Sequence, residues 1–472
     1  MPRNDGLVRF RGGRMDRREF MALIGAGAAG LVLPRVLLAD DPPAGTGRPN
    51  IIVIVSDDQG YADVGVQGCK DIPTPNLDSL ARNGVRFSSG YVSCPVCSPT
   101  RAGLMTGRYQ QRFGHEFNPG SGAAEQIGLP IGEVTLADAL KDAGYATGLV
   151  GKWHLGAAER FRPLRRGFDE FFGFLGGSHS YLDLRPRGRN AIFRGAEPVD
   201  EKEYLTDALS REAVAFIHRH RAEPFFLYLT YNAVHLPLEA TAKYLDRFGD
   251  IKDVKRRTYA AMLSATDDGI GAALAKLRQE KLLDNTLVFF FSDNGGPARA
   301  NGSNNSPLRG VKGQVYEGGI RVPFMVQWPG RVPAGKVYEH PVISLDVFPT
   351  AVAAAAGKLP QDRVMDGVDL LPYLTGRKDA PPHPVLYWRY GQQRAVRRGK
   401  WKLVKTGRQP AQLYDLATDV GETKDLTEQD GDVLKELDGL LAKWDSQLAK
   451  PLWSPGGARR PGTRPAPATR PA

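Results

Sequence analysis

Four separated stretches of this chain share one pattern: an apolar run of strand length, stopped by polar residues able to do chemistry. Asn50-Ile51-Ile52-Val53-Ile54-Val55-Ser56 leads into Asp57-Asp58, and Ala146–Val150 leads into Gly151-Lys152-Trp153-His154. Phe225–Leu229 runs into Thr230-Tyr231-Asn232-Ala233-Val234-His235, and Leu287–Ser292 stops at Asp293-Asn294-Gly295-Gly296. A run with no polar alternation is the pattern of a strand covered on both faces, as in a parallel sheet between helices. In open sheets of that kind, ligands gather at the carboxyl ends of the strands. One Asp pair after one strand is what many turns show. Four strand ends that deliver carboxylates, an amide, a lysine and histidines predict a shared polar edge on an α/β fold with a large, mostly parallel sheet.

Asp57, Asp58, Asp293 and Asn294 are hard oxygen donors, which suit Ca²⁺ or Mg²⁺ better than a thiolate-seeking metal. A further stretch, Val96-Cys97-Ser98-Pro99-Thr100-Arg101-Ala102-Gly103-Leu104-Met105-Thr106-Gly107-Arg108, reads as a helix start. Ser98 suits the cap, Pro99 the first helical position and Gly107 the stop. Cys97 then lies at the positive end of the helix, and Arg101 returns to the same face one turn on. A thiol, a helix N-terminus and a guanidinium together suit nucleophilic attack on an oxyanion. The commonplace alternative is a buried cysteine ahead of a capped helix.

The 472 residues suffice for one large domain plus a smaller one. The net charge of +11 does not read as nucleic-acid binding, because residues 1–39 and 454–472 carry +4 each and leave about +3 for the body. No basic stripe with interleaved aromatics is present. Three cysteines, Cys69, Cys94 and Cys97, argue against a disulfide framework. Cys94-Pro95-Val96-Cys97 has redox or zinc spacing but no second pair. Asp16-Arg17-Arg18-Glu19-Phe20-Met21, the apolar run Ala22–Leu33 and Ala39 resemble a twin-arginine export signal. The run is short for a membrane span, so no stable membrane insertion and a periplasmic or secreted bacterial protein are expected.

Cys97-x-Pro99-x-Arg101, followed by Leu104-x-Thr106-Gly107-Arg108, resembles the signature of the formylglycine-dependent sulfatases. The resemblance extends to the two Asp after the first strand, to Asp293-Asn294 after a late one, to Gly151-Lys152-Trp153-His154-Leu155-Gly156 and to Leu308–Pro323, which carries Lys312. It implies an alkaline-phosphatase-like α/β/α sandwich. It also implies conversion of Cys97 to 3-oxoalanine (formylglycine) by a formylglycine-generating maturation enzyme before folding, hence before export. The metal, calcium by family habit with magnesium open, would be held by Asp57, Asp58, Asp293, Asn294 and an oxygen of modified Cys97. The implied reaction is hydrolysis of a sulfate ester, with the aldehyde hydrate at position 97 as nucleophile. Arg101, Lys152 and Lys312 would stabilise charge, His235 would protonate the leaving oxygen, and His154 would take the proton whose loss restores the aldehyde. Lys152 and Lys312 would contact the sulfate. Ser178-His179, after Phe174-Leu175-Gly176-Gly177, resembles a polar pair that some relatives place at the substrate mouth, with Ser178 the substrate-binding residue; the alternative is a plain surface loop. The expected substrate is a sulfated carbohydrate, with aryl sulfates as assay substrates. The rival readings are a phosphonate monoester or phosphodiester hydrolase on the same fold, a carbohydrate-binding protein with Cys97 left as a thiol, and a membrane-tethered scaffold, which the short apolar run disfavours.

The chain divides into an export signal over 1–39, a catalytic domain over 40–376, a small domain over 377–453 with an antiparallel sheet and one helix, and a Pro/Arg-rich tail over 454–472. Ser264–Lys281 reads as an amphipathic helix with Asp267 and Asp268 solvated or locally paired. Val342–Ala356 reads as a core helix that Pro349 kinks or restarts. His115, His218 and His220 have no motif and read as structural or solvated, and Trp153 and Tyr316 read as packing residues.

Overall fold

The computed structural model describes residues 47–120, 126–185 and 191–455. The export-signal reading and residues 456–472 of the tail lie outside them. The described strands are β1 (Asn50–Ser56), β2 (Val85–Phe87), β3 (Gly90–Tyr91), β4 (Ala146–Lys152), β5 (Glu170–Phe174), β6 (Ile192–Arg194), β7 (Glu197–Val199) and β8 (Phe225–Thr230), then β9 (Thr286–Ser292), β10 (Phe324–Gln327), β11 (Lys336–Tyr338) and β12 (Val342–Ile343). Four more lie near the C-terminus: β13 (Leu386–Tyr390), β14 (Gln393–Arg398), β15 (Trp401–Thr406) and β16 (Gln412–Asp415).

Ten of these form one sheet in the order β11-β2-β10-β9-β1-β8-β4-β5-β6-β7. Its central strands, β9-β1-β8-β4-β5, are all parallel, and the antiparallel pairings lie outward of them. The strand with both faces apolar is therefore central, with neighbours from far later in the chain on either side. Along β1, Ile51, Val53 and Val55 enter one core and Ile52 and Ile54 the other, all essentially inaccessible to water. Phe289 and Phe291 of β9 keep the same period of two against Val288 and Phe290. The first core is closed by helices Cys97–Thr106, Leu136–Asp142 and Val347–Ala354. The second is closed by Pro75–Arg82, Leu205–Arg219 and Val254–Gln279. Each such side chain contributes roughly 1.5–3 kcal/mol by leaving water.

Helix boundaries depart from expectation for local reasons. The helix expected over Ser264–Lys281 starts ten residues earlier, at Val254, because Asp253 accepts from the backbone N–H of Lys255 and Arg256. Asp268 pairs with Arg247 at 2.8 Å. Asp267, however, is buried rather than solvated: it accepts from Asn76 N, Asn76 Nδ2 and Leu77 N and so caps the helix Pro75–Arg82 from outside. Val342–Ile343 is a strand, and the helix begins only at Val347. Pro349 sits in the first turn of that new helix, where its missing N–H costs nothing, so it marks a fresh start rather than a kink.

The four-stranded antiparallel sheet β13-β14-β15-β16, with helix Gly431–Asp445 on it, shares the first core. Where it meets β3 and the short helix Glu317–Ile320 there is a buried charge cluster. Lys402 Nζ lies 2.8 Å from both Glu317 Oε1 and Glu422 Oε1, and Tyr91 OH donates to Glu317 Oε2 at 2.6 Å. Burial alone raises both carboxyl pKa values. Lys402 and Arg321 reverse this at Glu317, while Glu422 stays high, at about 7. Removing the cation from such a cluster leaves buried carboxylates uncompensated. Lys402→Met is therefore expected to cost about 3–5 kcal/mol at pH 8 by chemical denaturation. A carboxyl whose folded pKa is raised loses stability as pH rises, so the deficit should shrink as pH is lowered from about 8 to about 5.

Candidate active site

The register puts the ends of the parallel strands at one height. Ser56 is opposite Ser292, Val55 opposite Thr230, Thr230 opposite Gly151, and Lys152 opposite Phe174. The segments leaving the strand ends therefore meet above β1. Asp58 and His154 are both non-glycine residues with positive φ, 61° and 59°. Such backbone costs about 1–3 kcal/mol and persists where its surroundings over-determine it.

The helix carrying position 97 starts at Cys97 itself, with Val96 extended before it (φ −143°, ψ 155°) and Gly107 closing it at φ 65°. Ser98 is thus inside the helix and does not cap it. Arg101, one turn on, donates from Nε and Nη2 to Asp293 Oδ2 at 3.0 and 2.7 Å, and its Nη2 lies 3.6 Å from Asp57 Oδ2. Lys152 Nζ is in close contact with Asp57 Oδ2, and Lys312 Nζ lies 2.7 Å from Asp58 Oδ1. Asn294 Nδ2 donates to Asp58 Oδ1 at 2.7 Å. His235 Nε2 is 3.5 Å from Asp58 Oδ2, and Cys97 Sγ donates to Asp57 Oδ1 at 3.6 Å. Three buried carboxylates thus face three cations.

The electrostatics reflect that matching. Burial would raise the Asp57 pKa, but Lys152 and His235 hold it below the ordinary carboxylate value. Burial would lower Lys312 and Arg101, but Asp58 with Cys97 at the first and Asp293 at the second hold both above their usual values. Burial pushes the Cys97 thiol up to about 12, with Asp293 adding to the effect and Lys152 opposing it. An unmodified thiol is therefore not a thiolate here. His154 is pushed well below its ordinary value by burial and by the Lys152 and Arg101 charges, and it stays neutral.

Ligand-capable atoms of Asp57, Asp58, Cys97 and His235 lie within 4.8 Å of one another. Asp293 and Asn294 join this group through Asp58: Asp58 N donates to Asp293 Oδ1 at 3.4 Å, and Asn294 donates as above. With its Nδ2 so used, Asn294 presents Oδ1, which is buried and has no donor among the described residues. A bare amide oxygen among carboxylates is what a hard cation satisfies, so the residues present fit a Ca²⁺- or Mg²⁺-type ion.

Position 97 opens into a cavity of about 520 Å³ whose lining includes Cys97, Asn118, His154, Gly177, Ser178 and His235. Ser178 is exposed at its mouth. Gly177 is needed there: a Cβ would stand 2.6 Å from His154 Nε2. A larger cavity, about 890 Å³ near Arg48, Glu133 and Asp362, contains none of these residues. The Lys312 loop is gripped from the small sheet. Gln393 Nε2 donates to Gly313 O at 2.7 Å and its Oε1 accepts from Val315 N at 3.3 Å, while Tyr316 OH donates to Gln412 Oε1 at 2.6 Å. Trp153 and Tyr316 are packed, as expected. His218 and His220 pair with Glu280 and with Glu170 and Glu223 near the surface. Asn118 was not legible in the sequence, having neither motif nor periodic position. It accepts from Ser98 N at 3.0 Å while lining the cavity.

The sulfatase family profile matches residues 49–358, and an N-sulphoglucosamine sulphohydrolase C-terminal profile matches 311–447. The chain is 37% identical to the N-acetylgalactosamine-6-sulfatase of Canis lupus familiaris over 377 residues, covering 75% of this chain and 71% of that protein. It is 34% identical to arylsulfatase J of Mus musculus, covering 76% and 65%. Among solved structures, Ps i-CgsB in complex with k-i-k-neocarrahexaose superposes with a TM-score of 0.83 at 40% identity, over 86% of this chain and 94% of that one. The chain belongs to the sulfatase family, on the alkaline-phosphatase fold, and is a sulfuric ester hydrolase. Membership implies a bound metal and a formylglycine.

Adding Ca²⁺ to chelator-stripped protein at a hundredfold over Kd is expected to stabilise it by about 2.7 kcal/mol, read as a rise in Tm that Asn294→Leu reduces or abolishes. Gly177→Ala is expected to displace the His154 ring and lower kcat on an aryl sulfate on the order of 10- to 100-fold, with little change in Tm.

Proposed function

We propose that this sulfatase removes sulfate from a sulfated glycan, using a formylglycine made from Cys97 and a calcium ion held by Asp57, Asp58, Asp293 and Asn294. The observation that carries the reading is the cavity above position 97. Its volume of about 520 Å³ accommodates a sulfated sugar ring, and its lining includes both histidines and several glycines but, among the described residues, no Phe, Tyr or Trp. A 40%-identical neighbour whose structure holds a neocarrahexaose supports the same substrate class.

When formed and bound, the aldehyde hydrate supplies the attacking hydroxyl and the cation neutralises charge on the sulfuryl oxygens. Arg101, Lys152 and Lys312, held by Asp293, Asp57 and Asp58, stabilise that charge from fixed positions, with no reorganisation during reaction. His235 Nδ1 is 2.7 Å from Leu236 O. A carbonyl only accepts, so Nδ1 carries a hydrogen and Nε2 is the atom that exchanges a proton with the leaving oxygen. His154, buried and neutral, accepts the proton from the second hydroxyl of residue 97. Ser178, at the mouth, contacts the sugar. Maturation by a formylglycine-generating enzyme precedes twin-arginine export to the periplasm or beyond. The described residues contain no helix long and apolar enough to cross a membrane.

Purified from its native producer, the protein should show formylglycine at residue 97 by peptide mapping and should hydrolyse defined sulfated oligosaccharides far faster than the matching phosphate esters. Chelation should remove the activity, and Cys97→Ser should lower kcat by on the order of 10³-fold or more. Only unmodified cysteine in active protein would overturn the reading. His235→Ala should slow a sugar sulfate by roughly 10²- to 10⁴-fold and nitrophenyl sulfate much less, since a good leaving group needs no proton. Equal losses on both would remove His235 from that role.

A further inference from the structure

One buried imidazole has no task in the chemistry above. His115 is inaccessible to water, and its Nε2 lies 2.7 Å from Ser98 Oγ. Ser98 Oγ in turn lies 2.6 Å from the backbone carbonyl of His154. That carbonyl can only accept, so the hydroxyl hydrogen of Ser98 is committed to His154. The hydrogen between Ser98 and His115 must then belong to Nε2. Burial, reinforced by the Arg166 charge, pushes the His115 pKa down to about 3, which leaves one ring hydrogen and makes Nδ1 a bare acceptor. Nδ1 is buried and finds no donor among the described residues. An apolar side chain would avoid that cost, so packing alone does not account for a histidine here.

The surroundings hold this chain of bonds from both sides. Trp453 packs edge-on against the His115 ring at 4.7 Å, and Asn118 fixes the backbone N–H of Ser98. At the other end, His154 has a left-handed backbone that its neighbours must enforce. Ser98 comes directly after Cys97, and the Cys-x-Pro-x-Arg signature leaves its identity open.

We propose that His115 and Ser98 are a positioning pair for sulfate ester hydrolysis: the chain His115 Nε2–H to Ser98 Oγ–H to His154 carbonyl fixes the His154 imidazole against position 97. Neither residue touches the substrate. The inference rests on the assignment of His154 as proton acceptor.

The test compares His115→Leu, His115→Gln, Ser98→Ala and His154→Ala on an aryl sulfate, with rates normalised to the converted fraction of residue 97 measured by peptide mapping. His115→Leu and Ser98→Ala are expected to lower kcat on the order of 10- to 100-fold with KM within about threefold. His115→Gln, whose amide Nε2 can still donate to Ser98, is expected to recover most of the loss while matching His115→Leu in Tm. Adding Ser98→Ala to His154→Ala should cost little more than His154→Ala alone. Wild-type kcat in His115→Leu, or equal losses in the Leu and Gln variants, would overturn the positioning role while leaving the catalytic reading intact. Wild-type activity in His154→Ala would overturn both.

Discussion

The structure depends on placing three carboxylates, Asp57, Asp58 and Asp293, out of water at the end of a hydrophobic sheet. A lone buried carboxylate is costly, and each of these is tolerable because a cation from elsewhere in the chain meets it. Lys152 comes from the next-but-one strand, Arg101 from a helix on one face, and Lys312 from a loop between β9 and β10. The site is thus also a tertiary constraint. The parallel register that aligns the strand ends is the same one that brings the opposite charges within reach.

Much of this was legible in the sequence because buried parallel strands leave a plain mark. Ile51 to Val55 and Leu287 to Phe291 have no polar alternation, and polar residues at their ends can only collect on one edge. The metal-type residues, Cys97, Arg101 and Lys152 were readable from strand ends and from one signature, whereas Lys312 was readable only from the likeness of Leu308–Pro323 to a family segment. Features that depend on a single side chain meeting a distant backbone were not readable. Ser98 sits where a cap would be expected, yet its hydroxyl serves His154, because Val96 rather than Ser98 takes the extended conformation before the helix. Asp267 looks like a solvated acid on an amphipathic helix, but it receives the N-terminus of another helix 190 residues away in sequence. His115 and Asn118 lie in no periodic pattern, and only the fold shows what they touch.

The grouping around Asp58 differs in detail from a simple ring of four oxygens. His235 stands beside Asp58, and Asp293 is largely engaged by Arg101, while Asn294 keeps a free acceptor. Charge balance explains the arrangement: Arg101 takes the Asp293 carboxylate, and the amide oxygen, which bears no charge, is the acceptor most cheaply left unpaired.

The hold that Gln393 and Gln412 exert on the Lys312 loop bears on how such enzymes diversify. A cut at the Pro-rich segment near residue 380 looks like a clean seam between modules, yet it would separate Lys312, the partner of Asp58, from the side chains that hold its loop. Recombination between relatives at that seam would have to carry matching glutamines or accept a misaimed charge. The loop and the two strands that hold it, β14 and the edge strand β16, therefore constrain one another across that seam.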